Sequence, residues 1–270
     1  MIGGYANDTA LAGCPTLDLL VQLDDHLRPS VQPKVANARS AADRLIDLFC
    51  ARYGSVEVDA NGWISVRTDR RLPLSVPRRP SVSVRLLPSF RCEGGGVLIA
   101  APAREATARR WRQLDIDAQS VRINEIDRLS HGKARHLIRM IKAWRDAADV
   151  PLCGFAVELL VIDFLSVWIY RRRSLLFYDW MVRDFFFWVA AQAGRNMPIP
   201  GTIEVLPIGD GWVAKAERAY LTAAAAAELE RDNHSLAALA HWREIFGLRF
   251  LGEEDSSRQP AAREELLIPG

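Results

Sequence analysis

The chain has 270 residues, 49% of them hydrophobic and 25% charged, with 35 basic side chains against 33 acidic ones and a formal net charge of +2. That is ordinary soluble globular composition, enough for one large domain or two closely packed lobes, and the near-cancellation of charge carries no strong nucleic-acid signal. The four cysteines (Cys14, Cys50, Cys92, Cys153) are dispersed without a Cys-x-x-Cys pair, which argues against a structural zinc site or a disulfide framework and fits a reducing cytoplasm.

The chain starts at a glycine-rich turn, Gly3-Gly4-Tyr5, with no basic segment and apolar core of a signal peptide. Leu17 to Leu23 is a short apolar run carrying Asp18, as in a central strand. Ser40 to Ala51 has helical apolar spacing behind a serine that can cap it. Ser55 to Val58 and Trp63 to Thr68 read as strands, and Asn61-Gly62 between them is a tight-hairpin signal. Ser81 to Leu87 alternates, with Val82, Val84 and Leu86 on one face and Ser83 and Arg85 on the other.

From about Ile123 onward the pattern becomes helical. Gly132 to Ala147, Phe155 to Tyr170, Leu175 to Ala191, Trp212 to Asp232 and His234 to Phe246 carry helix-period apolar positions. Pro198 and Pro200-Gly201 break the chain between the third and fourth of these. Phe155 to Tyr170 is the most apolar stretch, but Glu158 and Asp163 interrupt it, so it reads as a buried helix rather than a membrane span. Glu158 is expected to be a structural hydrogen-bond or ion-pair member. The neighbours Phe185, Phe186, Phe187 and Trp188 cannot all face one way on a helix, so core and an exposed contact patch are both expected of them. Arg171-Arg172-Arg173 reads as a solvated helix end, since no aromatic stacking pattern accompanies it. His131 and His136 are spaced wrongly for two metal ligands on one helical face. The expectation is an α+β chain: a mixed sheet lobe over residues 1–122, a helical lobe over 123–251 and a polar, disordered tail over 252–270.

Taken in order, several segments resemble the bacterial CD-NTases, the cyclic-oligonucleotide synthases related to cGAS and the oligoadenylate synthases. They are the Gly3-Gly4 opening with Asp8-Thr9 behind it, the strand Thr16-Leu17-Asp18, and Leu86-Leu87-Pro88-Ser89-Phe90 with Gly95-Gly96-Val97-Leu98-Ile99 and Trp111 after it. Asn124, the run Arg139 to Trp144, the run Leu152 to Leu160 and the closing Ala240 to Gly247 complete the series. The resemblance implies the nucleotidyltransferase (polymerase-beta-like) fold and a pocket for a nucleoside triphosphate, with Gly3, Gly4, Thr9 and Lys142 at nucleotide-binding positions. It also implies a long helix before the glycine turn that this sequence does not carry.

The departures fall on the chemistry. Nucleotidyl transfer uses two Mg²⁺ ions about 3.5–4 Å apart to clamp the attacking and leaving oxygens. By the resemblance, the three carboxylates that hold them fall at Thr16, Asp18 and Arg85. Threonine is a weak neutral ligand, and a guanidinium cannot deprotonate and repels a cation. Shifting the motif so that Asp18 comes first places Leu20 in the second position, so the register does not restore the pair. Gly3-Gly4 lacks the hydroxyl of a Gly-Ser turn, and Asp8 brings a negative charge to the phosphate side. Asp18 is thus either a remnant catalytic metal ligand or the partner of Arg85 in an ion pair that replaces the metal, the second being favoured. Lys142 is either a phosphate contact, by the resemblance, or a solvated helix lysine.

The functional expectation is a catalytically inactive, cytoplasmic nucleotidyltransferase-fold protein. It binds a nucleotide or a protein partner without a metal, in the antiphage signalling context that the resemblance implies. Two alternatives stay open: an active Mg²⁺-dependent enzyme making cyclic or linear oligonucleotides, and an interaction scaffold that binds no nucleotide.

Overall fold

In this computed structural model, residues 1–11, 16–27, 41–53, 56–59, 62–67, 83–100, 111–173, 177–247 and 250 are described. Among them a short helical turn, α1 (Gly3–Ala6), precedes β1 (Thr16–Gln22) and α2 (Ala41–Tyr53). Five strands follow: β2 (Val56–Val58), β3 (Ile64–Arg67), β4 (Ser83–Arg91), β5 (Val97–Ala100) and β6 (Trp111–Leu114). The helical part comprises α3 (Ile116–Leu129), α4 (Lys133–Ala147), α5 (Gly154–Val167) and α6 (Tyr178–Ala190). After the hairpin β7 (Asn196–Pro198) and β8 (Val205–Pro207) come α7 (Val213–Arg231) and α8 (Ser235–Phe246). The expected α+β class holds.

One mixed sheet has the order β2-β3-β4-β5-β6, and β1 lies parallel to β4. The long β4 organises it. Its first half pairs with β3 up to Leu86, and its second half pairs with β5 from Ser89 onward. Pro88 falls where that edge changes partner, so its missing N–H costs the ladder nothing there. Gly96, just before β5, is in a left-handed conformation (φ +73), and a Cβ added to it would lie 2.2 Å from the Leu114 carbonyl oxygen. Only glycine lets the β4–β5 turn come this close to β6.

Alternation then sorts the two faces of the sheet. Ile64, Val66 and Leu86 are buried, with Leu19, Val21 and Val84 packed beside them under Leu45, Ile46 and Phe49 of α2. The other face carries Thr16, Asp18 and Arg85. The α2 helix and the hairpin of β2 and β3 lie where the sequence places them. Asn61, Val82, Ser40 and the tail after Leu251 lie outside the described residues.

The helical lobe holds the main core. On α4, Leu137, Ile138, Ile141 and Trp144 form one buried stripe. On α7 the buried stripe is alanine at 216, 219, 223, 226 and 227, small enough to let α6 and α8 pack close on either side. Of the aromatic run on α6, Phe185 and Phe186 are fully buried while Phe187 is 68% exposed, the division a helix imposes on consecutive residues. The helical part begins at Ile116 rather than near Ile123, because Asp115 caps α3 by accepting from the Ala118 N–H at 2.9 Å. The segment 168–170, read as the end of the helix that starts at Phe155, lies beyond α5. Among the described residues no helix is long and apolar enough to cross a membrane.

Candidate functional site

Parallel pairing of β1 with β4 sets Asp18 directly beside Arg85. The two side chains form a two-pronged ion pair: Arg85 Nε donates to Asp18 Oδ1 at 2.7 Å and an Arg85 terminal nitrogen to Oδ2 at 2.8 Å. The guanidinium also lies over the Trp63 ring, 4.8 Å from its centroid. Gly3 closes the other side of the carboxylate. Its φ is +71, and a Cβ there would sit 2.9 Å from Asp18 Oδ2. The glycine turn is thus what lets the N-terminal segment lie against the ion pair. The Ile2 N–H fixes it by donating to the Asp18 carbonyl at 2.9 Å.

A second polar cluster sits behind the turn, where the sheet lobe meets the helical lobe. Glu158 on α5 is 2% exposed and Lys142 on α4 is 7% exposed. Lys142 Nζ donates to Glu158 Oε1 at 2.7 Å, to Thr9 Oγ1 at 2.9 Å and to the Thr9 carbonyl at 3.2 Å. Those three bonds use all three N–H groups of the ammonium. Thr9 Oγ1 donates in turn to Glu158 Oε1 at 2.7 Å. Gln119 and Asn7 amides donate to Oε2 at 2.6 and 3.2 Å. The buried carboxylate therefore accepts four hydrogen bonds, the condition under which a charge is tolerated away from water.

The same helix face holds residues 7–9 of the N-terminal segment. Arg135, Arg139 and Lys142 recur at i, i+4 and i+7 on α4. They donate in succession to the carbonyls of Asn7 (3.0 Å), Asp8 (2.7 Å) and Thr9 (3.2 Å). Asp8 is held left-handed (φ 54), a strained conformation that persists where the surroundings fix it.

These elements enclose a pocket of about 710 Å³ between the sheet and the helices, within the usual range for small-molecule sites. Gly3, Gly4, Thr9 and Lys142 line it, and so do Thr16, Asp18 and Arg85. These seven positions thus meet at one cavity, and the ion pair expected between Asp18 and Arg85 is formed. Two readings are corrected. Lys142 is a buried member of an ion pair with Glu158 rather than a solvated helix lysine. Asp8 does not line the pocket; its carboxylate faces Arg139 at 3.5 Å. Glu158 has the structural role expected of it.

Other lining residues were missed. Trp63 and Asp59 flank the β2–β3 turn, with the Trp63 N–H donating to Asp59 Oδ1 at 3.0 Å. Alternation gave a signal for Trp63: if Ile64 faces the core, its neighbour faces the pocket. Arg112 on β6 pairs at 3.0 Å with Glu204 of the β7–β8 hairpin, a contact across lobes that no local pattern announces.

The residues present do not fit a pair of Mg²⁺ ions. Mg²⁺ needs near-octahedral oxygen ligands at about 2.0–2.1 Å. Here both Asp18 oxygens are taken by a guanidinium and Thr16 offers a neutral hydroxyl. Among the described residues, no three His, Cys, Asp or Glu side chains group to hold a metal ion.

Comparison of the sequence with family models and with curated proteins finds no match. Comparison with solved structures does. A mutant of the Vibrio cholerae di-nucleotide cyclase DncV superposes with a TM-score of 0.65 at 15% identity, over 94% of this chain and 70% of that one. The Escherichia coli DncV bound to 3'-deoxy GTP gives 0.64 at 18% identity, over 92% and 68%. A Vibrio cholerae DncV, cyclic AMP-GMP synthase, in complex with a linear intermediate gives 0.65 at 15% identity, over 92% and 67%. The fold is that of the DncV nucleotidyltransferases. DncV is a CD-NTase, so the structural likeness falls on the family that the motif order resembles. At these identities the DncV likeness carries the fold and no more.

Proposed function

We propose that this chain is a catalytically silent nucleotidyltransferase-fold protein, which holds a nucleotide-type ligand in its interlobe pocket without transferring a phosphoryl group. The observation that carries the reading is the Asp18–Arg85 ion pair. In-line transfer needs a polarised attacking hydroxyl and a neutralised leaving group, both supplied by carboxylate-held metal ions. In this pocket the carboxylate is spent on a fixed monovalent cation that can neither bridge two oxygens nor lower the pKa of a hydroxyl as a metal does. A protein partner is the second reading, supported by Phe187 on α6 and Leu221 on α7. Both are exposed, and Phe187 meets Tyr220, the residue before Leu221, in a ring contact. By the same resemblance, antiphage signalling in the cytoplasm is the proposed setting.

The test is incubation of the purified chain with radiolabelled NTPs and Mg²⁺ or Mn²⁺. The expected result is no cyclic or linear oligonucleotide above a protein-free control. Product that is lost in Asp18→Asn would overturn the proposal. For the partner reading, Phe187→Glu with Leu221→Glu should abolish association with a protein partner while leaving ligand affinity unchanged; retained association sinks it.

A further inference from the structure

The cationic side chains of a nucleotide pocket normally meet phosphates. Among the described residues, four line this one, and each already has a carboxylate of the same chain. Arg85 is held by Asp18, Lys142 at 2.7 Å by Glu158, Arg112 at 3.0 Å by Glu204 and Arg145 at 2.6 Å by its neighbour Asp146. Lys142 has no further N–H to offer, and Arg85 is pinned between Asp18 and the Trp63 face. Two more carboxylates, Asp59 and Asp115, also line the cavity. Among the described residues the lining therefore carries four cations against five carboxylates (Asp18, Asp59, Asp115, Asp146 and Glu158). A triphosphate entering without metal ions would meet this net negative set, and a phosphate bond to Lys142 would have to displace an existing ion pair.

The uncharged part of a nucleotide meets a different surface. Tyr5, Trp63 and Phe155 bring aromatic rings to the cavity, with Leu87, Ile99 and Ile199 among its apolar walls. Tyr5 is 48% exposed on α1, leaving ring surface on which a planar ligand can stack.

Resting on the reading of this pocket as a silent nucleotide site, we infer that its ligand is an uncharged, planar nucleoside or nucleobase rather than a nucleoside triphosphate. The cationic groups of the lining are engaged by the protein's own carboxylates, and the aromatic and apolar walls remain open to a ligand. Selectivity follows from the unequal cost of the two kinds of contact. Stacking a neutral base displaces water from apolar and aromatic surface, whereas docking phosphates competes with charge pairs, among them the buried Lys142–Glu158 pair.

Isothermal titration of the full chain with adenosine, guanosine, cytidine and uridine, and with the four triphosphates plus Mg²⁺, tests this. At least one nucleoside should bind at least about tenfold tighter than its triphosphate, with an affinity unchanged by added salt because no ionic contact forms. Tyr5→Ala, at an exposed position outside the core, should weaken that nucleoside at least about fivefold. A triphosphate that binds as tightly as its nucleoside or tighter, or no binding by any of the four nucleosides at about 1 mM, overturns the inference. Oligonucleotide product in the transfer assay would instead overturn catalytic silence. Triphosphate preference without product sinks the ligand class alone.

Discussion

Lys142→Met replaces the ammonium by an apolar chain of similar length and leaves Glu158 with its charge, 2% exposed. Removing one partner of a buried ion pair costs about 3–5 kcal/mol, because the remaining charge has lost both water and counterion. Glu158 keeps three hydrogen bonds in the variant, from Thr9, Asn7 and Gln119. Those partial charges solvate it, which places the cost at the lower end, about 3 kcal/mol. For a chain of this size that is a fall in Tm of about 6–12 °C. Differential scanning calorimetry and urea titration of wild type, Lys142→Met, Glu158→Gln and the double variant complete a cycle. The double variant should recover part of the loss, with a coupling of about 1–3 kcal/mol. Arg231→Met, whose pairing with Asp232 is largely solvated, serves as the control and should not move Tm measurably. A Lys142→Met protein within about 1 kcal/mol of wild type, and additive with Glu158→Gln, would refute the reasoning. It would mean that the lysine is free for phosphate and that the N-terminal segment is not docked on α4.

Two further outcomes follow from the same geometry. Thr16→Asp with Arg85→Asp sets carboxylates beside Asp18 on two parallel strands, and Mn²⁺ should raise the Tm of this variant but not of wild type; no Mn²⁺-dependent shift in a folded double variant would show the three positions to be wrongly assigned. His136 meets the Tyr178 hydroxyl. Burial first, and then Arg139, hold its pKa below the ordinary 6.5, with Asp127 and Asp8 opposing. The folded state thus disfavours the charged ring: stability is intact above about pH 6.5 and is lost as pH falls through the lowered folded value. Between about pH 7.5 and pH 5, wild type should lose more Tm than His136→Phe; equal losses would show that the imidazole does not contribute.

The fold was largely legible because its signals are local. Alternation in Val84–Arg85–Leu86 assigned the two faces of β4, and the apolar period of α4 assigned its buried stripe. The convergence of Asp18 and Arg85 was legible through the resemblance, which placed them at positions that share a metal. What the sequence hid is carried by contacts between distant segments. A lysine between Ile141 and Ala143 looks the same whether solvated or buried. Its environment is decided by Thr9 and by Glu158, residues 133 and 16 positions away. Glu158 could be recognised as a structural group, because an acid inside an apolar helix needs partners. Which partners it finds depends on the docking of the first nine residues onto α4, and no periodicity encodes that. Asp8 was misplaced for the same reason: its left-handed backbone turns the carboxylate toward Arg139.

The two ion pairs share one logic of charge. Three carboxylates at positions 16, 18 and 85 would carry three negative charges and be unstable side by side without divalent ions between them. Thr16, Asp18 and Arg85 instead sum to zero, and the side chains of 18 and 85 make two hydrogen bonds with each other. The site is therefore stable as it stands, and a divalent ion brought to it would meet a guanidinium at the distance where it needs an oxygen ligand. Asp18 in such a site is no weakened ligand awaiting its metal; its charge is already compensated. The same holds behind the glycine turn, where Lys142 completes Glu158 rather than a phosphate. Restoring metal affinity should consequently require changing position 85 before position 16: Thr16→Asp alone adds a carboxylate to an existing cation and strengthens the internal pairing. Only with the guanidinium gone are the carboxylates at these positions without an internal cation and open to an ion.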